Sequence, residues 1–219
     1  MNKDDLEVNV KLKEKEWVKE KLLPILKEKL LPILIEKIKT KDNDLCVAAS
    51  KRIMYANEIF KYTSSMDQKE IITEQFCKSN FNLRAYETDL LIYEKKNDNS
   101  WVPRVIIEVK MKSISTHGCI DYAHKANQHK IIHPYIRYGV LISDVKSGFL
   151  SGRMFRHGMD FDFLIAWSKR EPDKLELNKF VEIMVEEVKT SRKLEGILLE
   201  YNKKKHEKIK YMHRKLILE

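Results

Sequence analysis

The stretch RVIIEVKMK, residues 104–112, begins as an apolar strand and ends with charges at alternate positions. Successive side chains of a strand point to opposite faces, so this stretch should present two different surfaces. One face is apolar and is expected to meet a core: Val105, Ile107, Val109 and Met111. The other starts apolar and becomes charged: Ile106, Glu108, Lys110 and Lys112. The strand therefore predicts a core on one side and a polar site on the other.

A second strand is predicted just before it, in YETDLLIYE at 86–94, with the polar turn EKKNDNSWVP connecting the two. Such a pair is expected to be antiparallel. This pairing could place Asp89 beside Glu108, with Lys110 one step along the same face. Two carboxylates and an ammonium at a strand edge suit Mg²⁺, which prefers oxygen ligands and keeps several waters.

The Glu-x-Lys pattern alone is common, since it occurs three times: at Glu94–Lys96, Glu108–Lys110 and Glu187–Lys189. The first leads into a polar turn, and the last lies in a stretch with helical spacing. Only the middle one ends an apolar strand that follows a strand bearing an Asp. The alternative is an ordinary Glu–Lys pair on an exposed strand face, worth under about 1 kcal/mol.

The composition indicates a folded protein with a possible polyanionic partner. Of the 219 residues, 43% are hydrophobic, which is enough for a core and excludes disorder of the whole chain. The formal net charge is +9, so nucleic acid is a candidate partner. A lysine-rich protein without such a partner is the alternative that charge alone leaves open.

The cysteines and the first residues indicate a compartment. Cys46, Cys77 and Cys119 are odd in number and widely spaced, so they match neither a disulfide framework nor a CxxC metal site. The start, MNKDDLEVNV, lacks the features of a signal peptide, and no apolar run reaches membrane-spanning length. We therefore expect a cytoplasmic protein that does not enter a membrane.

A short repeat marks the predicted N-terminal arm, residues 1–42. The segment KEKLLPIL occurs at 19–26 and again at 27–34, with helical spacing of its Leu and Ile residues. Pro24 and Pro32 would each cost about 3 kcal/mol inside a helix. The repeat therefore predicts short helices or kinked turns that present an apolar face to the body or to a partner chain.

The rest of the chain alternates between helix and strand. A helix is predicted from Asp44 to about Tyr62, and 63–82 fits either helix or strand. The elements predicted after the strand pair are a helix at 116–132, a strand at 135–143, a basic loop at 146–158 and a strand at 161–168. This order predicts a mixed α/β core over 43–170. A helical extension is predicted for 171–219, helical from Asn178 and interrupted near Gly196.

The stretch ETDLLIYE followed by RVIIEVKMK, then a helix and a buried strand, resembles the PD-(D/E)XK nuclease superfamily, and most of all its type II restriction endonucleases. The resemblance covers about residues 45–168 in the order of elements and is specific over 87–112. It implies an α/β fold, with a restriction-endonuclease-like mixed β-sheet core flanked by helices and with helical N- and C-terminal extensions.

The resemblance also implies a site. Asp89 takes the place of the motif's Asp, Glu108 that of its acidic residue and Lys110 that of its Lys, which makes these the catalytic residues and the two carboxylates metal ligands. Thr88 stands where the family usually has Pro. Family members often have a Glu on the first helix that contacts the metal, and Glu58 in YANEIF is the candidate here. The implied cofactor is Mg²⁺ and the implied substrate double-stranded DNA.

Candidate DNA-binding residues come from two regions. The first comprises the end of the strand and the predicted helix that follows: Lys112, His117, His124, Lys125 and Gln128. The second is the basic loop: Arg153, Arg156 and His157, of which the arginines suit bidentate contact with guanine or phosphate. Both sets fit a solvated surface as well. His129 and His133 have the i,i+4 spacing of zinc ligands, but Pro134 follows and no third ligand is evident.

Together these features favour a Mg²⁺-dependent restriction endonuclease, sequence-specific and homodimeric, because cutting both strands at a symmetric site suits two copies. The arm or the C-terminal helices would form the interface. Two alternatives stay open: a nuclease of DNA repair, recombination or a mobile element, and a non-catalytic DNA-binding module with the same fold.

Overall fold

The computed structural model describes residues 14–38, 44–59, 81–98, 100–200, 211–212 and 216–219. Its centre is a five-stranded sheet, in the order β1 (Leu45–Ala49), β4 (Leu90–Lys95), β5 (Trp101–Met111), β6 (Arg137–Ser143) and β7 (Phe163–Ala166). β4 pairs antiparallel with both β1 and β5, whereas β5, β6 and β7 are parallel. A separate ribbon pairs β2 (Arg52–Ile59) with β3 (Phe81–Glu87).

Helices cover both faces of the sheet. α1 spans residues 14–38, α2 is Thr116–Ile132, α3 is Gly152–His157 and α4 is Lys174–Glu200. α2 provides the crossover that the parallel strands β5 and β6 require. α1 and α4 pack in one core on the opposite face of the sheet. The predicted mixed α/β core flanked by helices is confirmed, and it is consistent with a restriction-endonuclease-like fold.

β5, which contains RVIIEVKMK, has the two faces expected of it. Val105, Ile107 and Val109 lie in the core under α1 and α4. Ile106 lies in the core on the other face, among residues of α2 and β6. Both faces of RVIIEVKMK are therefore covered by helices. Glu108 is buried and not exposed to solvent.

The KEKLLPIL repeat forms part of one helix, where short helices or kinked turns were expected. Four leucines at a spacing of four are fully buried: Leu22, Leu26, Leu30 and Leu34. A regular α-helix would rotate this stripe away from the sheet by about 40° every four residues. Two π-helical segments, Val18–Leu22 and Leu26–Leu30, widen the helix and reduce that drift. Each wide segment also precedes a proline, whose ring would clash with the carbonyl four residues earlier in a regular α-turn.

The helix predicted from Asp44 to Tyr62 is wrong over its described part, which forms β1 and β2. Pairing decides the outcome, because β1 lies fully in register along β4, from Leu45 opposite Glu94 to Ala49 opposite Leu90. Tertiary context of this kind overrides the helix propensity of a run such as VAAS.

The strand predicted at 86–94 is divided by a corner. β3 ends at Glu87 and β4 begins at Leu90. Ser50, which has a positive φ of 59°, donates a backbone hydrogen bond to the Thr88 carbonyl at 3.0 Å, and the Thr88 N–H donates to the Lys51 carbonyl at 2.9 Å. The turn after β1, at Ser50 and Lys51, is thus hydrogen-bonded to the corner before β4, at Thr88. Asp89 lies directly after this corner.

The remaining boundaries differ in smaller ways. The helix predicted at 116–132 is confirmed, whereas the predicted basic loop contains α3. α4 begins at Lys174 and continues through Gly196 without the expected interruption. Residues 60–80, 201–210 and 213–215 lie outside the described part, and with them most of the ambiguous stretch 63–82. None of the described helices is long and apolar enough to cross a membrane.

Candidate active site

The register of β4 and β5 brings the two predicted carboxylates together. Leu90 pairs with Ile107 and Leu91 with Ile106, so Asp89, one residue earlier, lies opposite Glu108. Asp89 Oδ2 accepts a hydrogen bond from the Val109 N–H at 2.9 Å. This bond fixes the carboxylate against β5, just beyond the last β4–β5 residue pair. The antiparallel pairing expected from the sequence is confirmed, while the catalytic roles stay a prediction.

Lys110 lies at the same edge, between elements of both faces. Its Nζ is 3.9 Å from Asp89 Oδ2, 3.5 Å from Glu14 Oε2 and 4.7 Å from the centre of the Tyr122 ring. Burial would lower the pKa of Lys110, but Asp89, Tyr122 and Glu14 outweigh it and raise the pKa above its usual value. The ammonium is therefore protonated at neutral pH. In this state it can neutralise charge or orient water, but it cannot accept a proton.

Glu108 is the buried member of the pair. It is 5% exposed, and Oε1 accepts a hydrogen bond from the Tyr138 hydroxyl at 2.8 Å. Burial, reinforced by the charge of Asp89, raises the pKa of Glu108 to about 8, although Lys110 and Tyr138 act in the opposite direction. Without a cation, Glu108 therefore holds a proton at neutral pH.

That proton can give way to a metal ion, and the residues present fit Mg²⁺. In the described ranges, no three or more His, Cys, Asp or Glu side chains are placed to hold an ion by themselves. Mg²⁺ needs no such cluster, because it is often bound by one or two carboxylates together with waters and substrate phosphate. The two carboxylates stand opposite each other at a strand end, and their mutual repulsion is what a bound cation would relieve.

Glu14 belongs to the site and is not among the residues predicted from the sequence. Its Oε1 accepts a hydrogen bond from the Met111 N–H at 3.0 Å, and the residue is only 9% exposed. A signal did exist, because Glu14 continues the buried stripe of Val18 and Leu22 at a spacing of four residues. A charged residue at such a position in an apolar stripe indicates a buried partner.

The sequence predicts Glu58 as the first-helix carboxylate, because 44–62 is expected to form the first helix. The first described helix is α1, and Glu58 lies on β2, where its backbone pairs with Asn82. The helical placement of Glu58 is therefore wrong, and its side chain lies outside the described part. The carboxylate that a first helix brings to this site is that of Glu14.

The predicted DNA-binding residues divide between the neighbourhood of the site and the surface beyond it. Lys125 is near the site, since its Nζ is 4.8 Å from the centre of the Tyr122 ring and its charge acts on Glu108. The others are spread over the surface: Lys112, His117 and His124 are exposed and Gln128 half-buried, while Arg153 and Arg156 are exposed and His157 half-buried on α3. None of the described contacts joins the α3 residues to Glu108 or Lys110.

His129 is a core residue. It is 1% exposed, and its Nδ1 lies 3.3 Å from the Met54 carbonyl oxygen. Burial lowers its pKa to about 4, so the imidazole is neutral at physiological pH. His133 is half-buried and its pKa is also lowered by burial. The described part of the chain supplies no further ligand that would make the pair a zinc site.

Comparison with known proteins finds similarity among solved structures. No family model and no curated protein matches the sequence. Among solved structures, the chain is similar to the pre-specific restriction endonuclease BsaWI in its complex with DNA, at 13% identity and a TM-score of 0.37. The match covers 86% of this chain and 69% of that one. A similarity this low transfers neither a function nor site residues to this chain.

Proposed function

We propose that this chain is a Mg²⁺-dependent DNA endonuclease that hydrolyses phosphodiester bonds in double-stranded DNA, as a sequence-specific type II restriction endonuclease. One observation carries the proposal: a buried carboxylate, Glu108, faces a second carboxylate, Asp89, with the Lys110 ammonium 3.9 Å from the latter. These are the groups needed to bind a divalent cation and a phosphate side by side.

Each side chain has a specific task in this reaction. Bound Mg²⁺ would supply a Lewis acid for the phosphoryl oxygen and a water of lowered pKa as nucleophile. Asp89 and Glu108 would hold the ion, with Asp89 fixed by the Val109 N–H and Glu108 by the Tyr138 hydroxyl. The Lys110 ammonium would stabilise the negative charge that develops on the phosphoryl oxygens and orient the attacking water. Because Lys110 is protonated, the proton of that water would pass to solvent water and not to Lys110.

The charge of the chain supports DNA as the partner. A net charge of +9 favours binding to a polyanion, and Lys112 is exposed directly after the catalytic strand. A homodimer is part of the proposal because two identical sites cut two strands symmetrically. The leucines of α1 are buried in their own chain's core, so the C-terminal part of α4, with Leu198 and Leu199 exposed, is the better interface candidate.

The test is cleavage of plasmid and phage DNA with Mg²⁺ or with EDTA, using wild type, Lys110→Ala and the matched control Lys95→Ala. Lys95 is an exposed lysine at the far end of β4, so its replacement should leave cleavage unchanged. We expect discrete fragments from wild type with Mg²⁺ and none from Lys110→Ala. Smears or cutting at branched DNA would favour a repair or mobile-element nuclease. DNA binding without cleavage, unaffected by Lys110→Ala, would leave the non-catalytic module as the explanation.

A further inference from the structure

Ammonium groups and aromatic rings alternate from the catalytic lysine to the β2–β3 ribbon. Lys110 Nζ lies 4.7 Å from the centre of the Tyr122 ring, and Lys125 Nζ lies 4.8 Å from the same ring. Lys125 Nζ is also 5.1 Å from the Tyr86 ring, which stacks on Tyr55 with the ring centres 3.8 Å apart. Lys125 is thus held between two tyrosines, one from its own helix and one from the ribbon.

The fold brings these residues together from four elements. Tyr122 and Lys125 are three residues apart on α2 and therefore neighbours on its surface. The ribbon is anchored beside α2 by Ile53, which is buried with Ala126 and Tyr138. Ile53 pairs with Tyr86, so the same anchor fixes the second ring. The position of Lys125 follows from the fold and does not depend on a flexible loop.

The ammonium of Lys125 is available to an external anion. In the described ranges, no carboxylate lies within ion-pair distance of it, whereas Lys130 on the same helix is 3.0 Å from Asp162 Oδ2. Lys125 and Lys110 contact the same Tyr122 ring, so Lys125 lies beside the lysine whose Nζ is 3.9 Å from Asp89 Oδ2. Cation–π attraction to the two rings holds the ammonium, so no carboxylate is needed to keep it in place.

The arrangement suits a phosphate better than a base. Both rings beside Lys125 already contact ammonium groups, and Tyr86 also stacks on Tyr55. Their faces are therefore poorly available for base stacking. The ammonium groups of Lys110 and Lys125 both contact the Tyr122 ring, so they lie close enough together to meet neighbouring phosphates of one strand.

From this geometry we infer that Lys125 binds the backbone phosphate next to the scissile one, on the strand that is cut. The inference rests on the proposed function, because Lys110 defines the scissile position. Lys125 would add a fixed contact on the α2 side of the site, and this contact would orient the DNA strand before the reaction. Such a contact carries no sequence information and should act equally on all DNA sequences.

The first test measures DNA binding without metal, by fluorescence anisotropy of a short duplex over a range of salt concentrations. Losing one phosphate contact should lower the slope of log K against log salt by about 0.9, so the affinity ratio of wild type to Lys125→Gln should shrink about eightfold between about 0.05 and 0.5 M salt. Lys125→Arg should retain the wild-type slope. The control Lys193→Gln, at an exposed position of α4, should leave it unchanged.

A second test replaces single phosphates of the duplex by neutral methylphosphonates. At one position next to the cut, the replacement should weaken binding by wild type and have no further effect on Lys125→Gln. Equal losses for both proteins at every position, or an unchanged salt slope for Lys125→Gln, would overturn the inference even where Lys110→Ala abolishes cleavage. Conversely, a wild type that binds DNA with the expected slope but never cuts would contradict the proposed function and leave the phosphate contact standing.

Discussion

Replacing Glu108 with Gln should stabilise the metal-free protein at neutral pH, although it removes a residue proposed to be catalytic. The folded-state pKa of Glu108 is about 8, above the ordinary value of 4.5. The folded protein therefore keeps a proton that the unfolded chain releases between pH 4.5 and 8. Over this window, the contribution of Glu108 to stability is fully present at the acidic end and is lost as pH rises.

The size of the effect follows from the same two values. One pKa unit corresponds to about 1.4 kcal/mol. Because Glu108 ionises only in the unfolded chain over this range, its ionisation lowers the free energy of unfolding by about 3 kcal/mol at pH 7 and by less than about 1 kcal/mol at pH 5. Gln does not ionise, and its carbonyl oxygen can still accept the hydrogen bond from Tyr138. The free energy of unfolding of Glu108→Gln should therefore exceed that of wild type by an amount that grows with pH.

Urea unfolding in EDTA, followed by circular dichroism between about pH 5 and pH 8, measures this difference. Glu182→Gln is the matched control, because Glu182 is exposed on α4 and its variant should follow wild type at every pH. Added Mg²⁺ should stabilise wild type at the alkaline end and leave Glu108→Gln unchanged, since a ligand stabilises the state that binds it. A difference between wild type and Glu108→Gln that is constant with pH would refute the reasoning.

Three further predictions concern residues around the site and beyond it. The lowered pKa of His129, about 4 against 6.5, should cost the protein about 3 kcal/mol of stability as pH falls from 6.5 to 4, and His129→Gln should remove that dependence in urea titrations. Tyr138→Phe removes a hydrogen bond that favours ionised Glu108, so the Mg²⁺ concentration at half-maximal thermal stabilisation should rise several-fold at pH 7 and less at pH 9. Arg104 is buried between Glu94 and Glu195, each 2.5 Å away, so Arg104→Met should lower the free energy of unfolding by about 3 kcal/mol, and plasmid cleavage by the folded variant should persist.

The centre of the site could be predicted because its signals are local. A strand with alternating character, a polar turn and a second strand lie within residues 86–112, and short antiparallel pairs follow local rules of register. That is enough to place Asp89 opposite Glu108. The corner at Thr88 could not be predicted in the same way, because it depends on hydrogen bonds with Ser50 and Lys51, almost forty residues earlier.

The surroundings of the site depend on packing between distant segments. The helix propensity of 44–59 gave a wrong element there, because the pairing of β1 with β4 is not visible in either segment alone. That error moved the expected first-helix carboxylate to Glu58 and away from Glu14. A single misassigned element therefore accounts for both the wrong helical placement of Glu58 and the omission of Glu14.

Lys110 shows why such a site has to be assembled from distant parts of the chain. Its ammonium lies within 4 Å of carboxylates from α1 and from the corner before β4, and against a ring from α2. α1 covers one face of the sheet and α2 the other, so the lysine is held at the edge where the two layers meet. The two helices contribute different groups. α1 provides the negative charge of Glu14, and α2 provides the Tyr122 ring and the ammonium group of Lys125. A change in the packing of α1 should therefore alter the chemistry of Lys110 without touching the strand motif that made it recognisable.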